Sequence, residues 1–226
     1  LARKRAKKAI GPGAHEILVT DNSFHGRTLA TVAATGNPRY QAGFEPLPPG
    51  FRFVPFDDLA AMQTAVTDTT CAILVEPIQG EGGIRAASEE FMRGLRSLAD
   101  EHDLLLILDE VQCGVARTGR MYAYEHYGIE PDILATAKGI AGGLPLSGVV
   151  GRAAIMDHPH SGAIGGTFIG NPVALAAASA VDLSDRQAAA IVRRQALLRT
   201  GLVVVLAGIA VTSLASQEPD EPAPAP

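Results

Sequence analysis

Leu104-Leu105-Leu106-Ile107-Leu108 runs straight into Asp109-Glu110-Val111-Gln112. A continuous apolar run of this kind suits a strand buried on both faces, as in a parallel sheet with helices above and below. Asp132-Ile133-Leu134-Ala135-Thr136-Ala137 reads as a second such strand, delivering Lys138 at its end. Open sheets of this type bind ligands beyond the carboxyl ends of their strands, so an acid and an amine would meet at one rim. Gly139, Gly142 and Gly143 follow and keep bulk away from the lysine. On spacing alone the plainer reading is the better one: Asp109 caps the next element and Lys138 is a solvated loop residue, because both residue types are common at strand ends.

Outward from this stretch, short apolar strands alternate with helical segments, which predicts an α/β fold. Glu16-Ile17-Leu18-Val19-Thr20 and Cys71-Ala72-Ile73-Leu74-Val75 read as strands, and Ser147 to Gly151 as a shorter one. Leu1 to Ala9 reads as a basic helix stopped by Gly11-Pro12-Gly13. Asp57 to Val66 is predicted helical with Asp57 or Asp58 as its cap, and Ser88 with Glu89 and Glu90 opens a helix running to about His102. An Ala-rich helix spans Val173 to Val181. Thr31 to Phe56, punctuated by Gly36-Asn37-Pro38 and Pro48-Pro49-Gly50, reads as a long surface loop.

Composition narrows the function classes. A net charge of −5 and a pI near 5.7 leave no basic footprint, which argues against nucleic acid. Cys71 and Cys113 stand far apart without CxxC spacing, so neither a zinc site nor a disulfide framework is expected, and a reducing cytoplasm fits. No metal site is expected. No signal peptide is visible at the start, and Leu1 in place of Met suggests a chain that begins mid-gene or after processing. The apolar run from Leu202 to Ala215 is short of the roughly 20 residues a membrane span takes. Organisation is read as a main domain over 1–182, an atypical helical or apolar segment over 183–215 and a Pro/Ala/acidic tail over 216–226, disordered by composition.

The segment LDEVQCGVARTGRMYAYEHYGIEPDILATAKGIAGGLPLSGVVGR, from Leu108 to Arg152, resembles the core signature of the class III pyridoxal phosphate aminotransferases. NSFHGRT at Asn22–Thr28 resembles their aromatic stacking motif, and GFEPLPPGFRFVPFDDL resembles the acetylornithine and ornithine-type members. The resemblance implies the fold type I PLP-dependent transferase large domain: a mostly parallel sheet flanked by helices.

It also implies roles. Lys138 would be catalytic, forming a Schiff base with the aldehyde cofactor pyridoxal 5'-phosphate when unprotonated and then shuttling protons. Asp109 would keep the pyridine nitrogen protonated so that the ring acts as an electron sink. Phe24 would lie on that ring, and Glu110, Val111 and Gln112 belong to the same cofactor grip, Gln112 facing the phenolic oxygen. Arg27 would offer a bidentate fork to a substrate carboxylate. Among the acids five residues apart in Glu76-Pro77-Ile78-Gln79-Gly80-Glu81, Glu76 would support the cofactor side and Glu81 would gate the carboxylate site. In Gly165-Gly166-Thr167, Thr167 would bind the cofactor phosphate of a neighbouring subunit, implying a homodimer with shared sites, and Gly166 lies on the substrate side. His25 is read as structural.

Substrates would be an amino acid donor and a 2-oxo acid, with N-acetylornithine and 2-oxoglutarate first. Gly166 before Thr167, with LPLSGVVGRAAIMD upstream, points instead to 4-aminobutyrate transaminases. The family's phosphate-binding turn would precede Leu1, and its carboxylate-binding arginine would follow about Leu183, where the resemblance is expected to end. Two other readings therefore stand beside the enzyme: a non-catalytic fragment that binds a partner subunit, and a membrane-tethered structural protein motivated by Leu202 to Ala215.

Overall fold

The computed structural model describes residues 1–160, 163, 165–167 and 169–184. After helix α1 (Ala2–Ala9), strand β1 (Glu16–Thr20) leads through α2 (Leu29–Ala34) and α3 (Pro38–Gln41) to β2 (Phe51–Val54). Helix α4 (Leu59–Ala65) and strand β3 (Thr70–Val75) follow, then a hairpin of two-residue strands, β4 (Ile78–Gln79) and β5 (Arg85–Ala86). Helix α5 (Glu89–Glu101), β6 (Leu105–Asp109), β7 (Ile133–Thr136), β8 (Gly148–Gly151), α6 (Ala153–Met156) and α7 (Pro172–Ser184) complete the described part.

Six strands form one sheet in the order β2-β1-β3-β6-β7-β8. All neighbours are parallel except β7 and β8, which run antiparallel. This bears out the α/β fold with a mostly parallel sheet. Side chains alternate across a strand, and here both sides are covered. Leu106 and Leu108 pack with Phe91, Met92 and Leu95 of α5, whereas Leu105 packs with Ala2 and Ala6 of α1. Each large apolar side chain so buried contributes roughly 1.5–3 kcal/mol.

Local chemistry sets the helix ends. Ser88 Oγ accepts the amide of Phe91 at 3.1 Å, and Asp58 Oδ1 accepts that of Ala61 at 2.8 Å. Asp57, the other candidate cap, turns instead to accept from Ser88 N and Ser88 Oγ, both at 2.8 Å, tying the starts of α4 and α5 together. Gly94 lets those helices touch, because a Cβ there would sit 2.3 Å from Leu59 Cδ2.

One expectation is corrected. Thr31 to Phe56 is not a plain surface loop: it holds the end of α2, all of α3 and the edge strand β2. Pro38 takes the first position of α3 and Asn37 Oδ1 caps it at 3.1 Å from Arg39 N, so residues that punctuate loops here start a helix. Helix α7 spans Pro172–Ser184 and contains the Ala-rich helix expected over Val173 to Val181. The rest of the 183–215 segment and the 216–226 tail lie outside the described residues. No described helix is long and apolar enough to cross a membrane, and no described group of His, Cys, Asp and Glu is arranged to hold a metal ion.

Candidate active site

Four strands bring their chemistry to one rim. At the end of β6, Asp109 is 9% exposed. Its Oδ1 accepts the amide of Val111 at 3.1 Å, and its Oδ2 lies 2.8 Å from His25 Nδ1. His25 belongs to the loop after β1, which is pinned twice: His25 N donates to Thr35 Oγ1 at 3.0 Å and Phe24 N to Glu76 Oε2 at 2.9 Å. Glu76 follows β3 and is buried. Desolvation pushes its carboxyl up to about 7, against the Phe24 N–H bond and His25, which favour the charged form.

Lys138 reaches the same rim from the end of the neighbouring strand. Asp109 pairs with Ala135 across β6 and β7, and Lys138 follows at the start of a short 3-10 helix, Lys138–Ala141. Its Nζ donates to Gln112 Oε1 at 2.7 Å. Gln112 itself rests on Gly80, where a Cβ would come within 2.4 Å of the carboxamide nitrogen. The backbone of Lys138 sits at φ 50, left-handed for a residue with a side chain, a form of strain that concentrates at functional sites.

Phe24 meets Tyr40 edge-on, with ring centroids 5.1 Å apart at 66°. The guanidinium of Arg27 lies 4.8 Å from the Tyr40 centroid and 5.6 Å from that of Phe24. Gln79, fully buried, clamps the β4 loop to the end of β1 by donating to Asp21 O at 2.7 Å and Thr20 Oγ1 at 3.2 Å.

Not every anticipated residue joins this cluster. The Glu110 side chain turns into the interior, where it accepts from Ala123 N at 2.6 Å, Tyr124 N at 2.8 Å and Cys113 Sγ at 3.5 Å, and burial pushes its carboxyl up. It braces the loop after β6. Val111 contributes its amide to Asp109. Glu81 is exposed on the β4–β5 turn, with no hydrogen bond or ion pair among the described residues. Gly166 and Thr167 are exposed, and no hydrogen bond among the described residues links Thr167 to the rim. His25 and Tyr40 were not anticipated as site residues. The one available signal is that His25 sits inside the NSFHGRT block itself.

A buried carboxylate held by an imidazole, a primary amine just past the end of the next strand and an arginine fork over aromatic rings can grip a cationic heterocycle and orient a carboxylate. The Aminotransferase class-III family profile matches residues 1–200, beyond the expected end near Leu183. Acetylornithine aminotransferase of Methanocaldococcus jannaschii is 52% identical over 179 residues, covering 79% of this chain and 45% of that protein. The Myxococcus xanthus acetylornithine aminotransferase is also 52% identical, over 181 residues, 80% of this chain and 45% of its own length. The chain thus spans about half the length of the curated relatives it matches. Ornithine aminotransferase of Toxoplasma gondii superposes with a TM-score of 0.78 at 36% identity, covering 83% of this chain and 46% of its own. A PLP-bound amine transaminase from an uncultivated Pseudomonas species gives a TM-score of 0.72 at 30% identity, over 80% of this chain and 47% of that one. With most of its length matched by one family, the chain belongs to the class III aminotransferases.

Proposed function

We propose that this chain carries the lysine-bearing part of an aminotransferase that uses pyridoxal 5'-phosphate to move the terminal amino group of N-acetylornithine, or a related ω-amino acid, to 2-oxoglutarate. The observation that carries the reading is the rim itself: Asp109, bonded to His25 at 2.8 Å, ends β6, and Lys138, bonded to Gln112 at 2.7 Å, follows the end of the neighbouring parallel strand β7. The donor set fits the cofactor. Asp109 keeps acceptor capacity beyond its two bonds, and His25 Nε2 is buried with no partner among the described residues.

When bound, the cofactor supplies an electron sink for the pair released as a C–H bond breaks. The protein's part is positioning and proton handling. Asp109 would hold a proton on the pyridine nitrogen, kept in line by His25 and the Val111 amide. Phe24 would flank the ring, its loop braced by Glu76. Gln112 would orient both the phenolic oxygen and Lys138. Lys138 Nζ would anchor the cofactor, then take the proton from the substrate's amine-bearing carbon and return it on the other side of the transfer. Arg27 would receive a carboxylate. Thr167 would serve the phosphate of a second copy in a homodimer, which agrees with its exposure here, and Glu81 and Gly166 would border the substrate. The free, buried Cys71 and Cys113 support a reducing, cytoplasmic setting.

Identities of 47–52% to acetylornithine enzymes favour that donor over 4-aminobutyrate. The test has two steps. Protein mixed with pyridoxal 5'-phosphate should absorb at the edge of the visible, and borohydride should then fix the cofactor to Lys138, read by peptide mass. Lys138→Ala should abolish both signals; a band that survives the substitution overturns the lysine assignment. Glutamate formation from each donor follows. Turnover of N-acetylornithine supports the proposal, turnover of 4-aminobutyrate alone replaces the donor, and cofactor fixation without any turnover leaves a cofactor-binding fragment and overturns catalysis by this chain.

A further inference from the structure

We infer that Tyr40 is a positioning residue for the substrate carboxylate: together with Phe24 it is the aromatic seat that aims the Arg27 guanidinium. The inference rests on the reading above that Arg27 receives that carboxylate. Arg27 is exposed and makes no hydrogen bond or ion pair among the described residues, yet its guanidinium lies over two rings, 4.8 Å from Tyr40 and 5.6 Å from Phe24. A guanidinium near an aromatic face is attracted by the ring's quadrupole and not by a hydrogen-bond acceptor, so its fork of N–H donors is left without a fixed partner. The seat therefore restrains the side chain without consuming a donor. An acidic partner in the same place would have restrained it by occupying the fork that a substrate needs.

The seat is itself built rigidly. Tyr40 lies on α3, which Asn37 caps and which Gln41 ties back through Gln41 Nε2 to Thr35 O at 2.9 Å. Thr35 Oγ1 in turn accepts the amide of His25 at 3.0 Å. The loop carrying Phe24, His25 and Arg27 and the helix carrying Tyr40 are thus joined through Thr35, and the Tyr40 ring closes the arrangement edge-on against Phe24 at 5.1 Å. Phe24 is the residue placed beside the cofactor ring, so the same aromatic pair sets both the ring's flank and the carboxylate's anchor. The spacing between reacting amine and carboxylate becomes a property of this pair, and substrates are selected by that length. Tyr40's hydroxyl makes no hydrogen bond among the described residues, so the ring is the working part.

The test uses the full chain and glutarate, an unreactive dicarboxylate, titrated by calorimetry. Tyr40→Leu should weaken glutarate binding roughly five- to tenfold, the scale of a lost cation–π seat, while Tyr40→Phe stays within about twofold. Tyr40→Met gives a second ring-free variant should the leucine variant not fold, and it should fall with it. Arg27→Ala should lose at least as much, and adding Tyr40→Leu to it should change nothing further. Wild-type affinity in a folded ring-free variant overturns the proposal, as do additive losses in the double variant or a wild-type chain that does not take glutarate. Borohydride fixation of the cofactor to Lys138 is read in parallel and reports the lysine rather than the carboxylate anchor. Its loss would sink the cofactor reading, whereas fixation without glutarate binding sinks the Arg27–Tyr40 reading alone.

Discussion

Asp109 and Asp132 sit at opposite ends of adjacent parallel strands, and they are treated very differently. Asp132, just before β7, is closed in on all sides: Oδ2 accepts from Leu106 N and Arg96 Nη1, both at 2.8 Å, and Oδ1 faces Arg152 Nη1 at 3.0 Å. Arg96 is further bonded to Asp100 at 2.7 Å. Asp109, at the end of β6, holds one backbone amide and one histidine, and among the described residues the Lys138 amine is bonded to the neutral Gln112 and to no acid. Backbone strain divides the same way. Of the described non-glycine residues with positive φ, Asn22, Asp57, Val115, Ala116 and Lys138 follow the carboxyl ends of strands of the six-stranded sheet, Ile84 lies in the β4–β5 turn, and Asp103 precedes β6. One end of the sheet saturates its charges and relaxes its backbone; the other keeps bonding capacity open and stores strain, as a binding rim must.

The sharpest way to break this contrast is to remove each acid in turn. Asp132→Ala leaves Arg96 largely buried without its main partner and should cost roughly 3–5 kcal/mol, read as a lowered urea midpoint. Asp109→Asn keeps an acceptor for Val111 and should cost about 1 kcal/mol or less, while cofactor retention is lost. Equal losses of stability would erase the distinction between base and rim.

Much of this division was legible in the residues. The run into Asp109 and the strand before Lys138 are long enough to read as buried strands, and strand ends place their side chains by geometry alone. Other parts could not be read because their cause is distant in sequence. His25 matters through Asp109, 84 positions away. Glu76 and Glu81 look alike on a Gly/Pro-bounded loop, and only the fold buries one against the Phe24 amide and leaves the other in water. Helix α3 was hidden by its own start signals, Asn37 and Pro38, which serve turns equally well.

Glu76 gives the next largest effect, and it depends on pH. Its folded carboxyl titrates at about 7 against an ordinary 4.5, so between those values the folded state binds more protons than the unfolded chain. Stability from this group is therefore fully present below about pH 4.5 and is lost as pH rises through 7. A shift of that size corresponds to about 3 kcal/mol at most. Glu76→Gln retains an acceptor for Phe24 N and should flatten the dependence: urea midpoints of variant and wild type should agree below about pH 4.5, diverge in the variant's favour as pH rises to about 7, and stay apart above it. Parallel curves across the range would show the group is not desolvated as described.

The rim also relies on a neutral clamp where the base relies on charge. Gln79→Ala strands Asp21 O and Thr20 Oγ1 and should cost roughly 1–3 kcal/mol. The loss should be local, with faster hydrogen exchange at the Phe24 amide and little change in α5. Uniform acceleration over the whole sheet would place the clamp in the core instead.

The smallest effect tests the strain itself. Ala116 sits at φ 63, where an L side chain costs about 1–2 kcal/mol relative to glycine. Glycine would remove that cost but also gain freedom in the unfolded chain, an opposing effect of roughly 0.5–1 kcal/mol. Ala116→Gly should therefore stabilise by about 0.5–1 kcal/mol, read as a small rise in Tm. Asp103→Gly is the matching change at the base, at φ 53, but Asp103 holds Arg5 at 2.6 Å and Asp tolerates the left-handed region better than Ala. There the relief is smaller and an ion pair is lost, so the net change should be near zero or slightly destabilising. A larger gain at Asp103 than at Ala116 would mean that strain is not concentrated at the rim, and the backbone half of the comparison would fall.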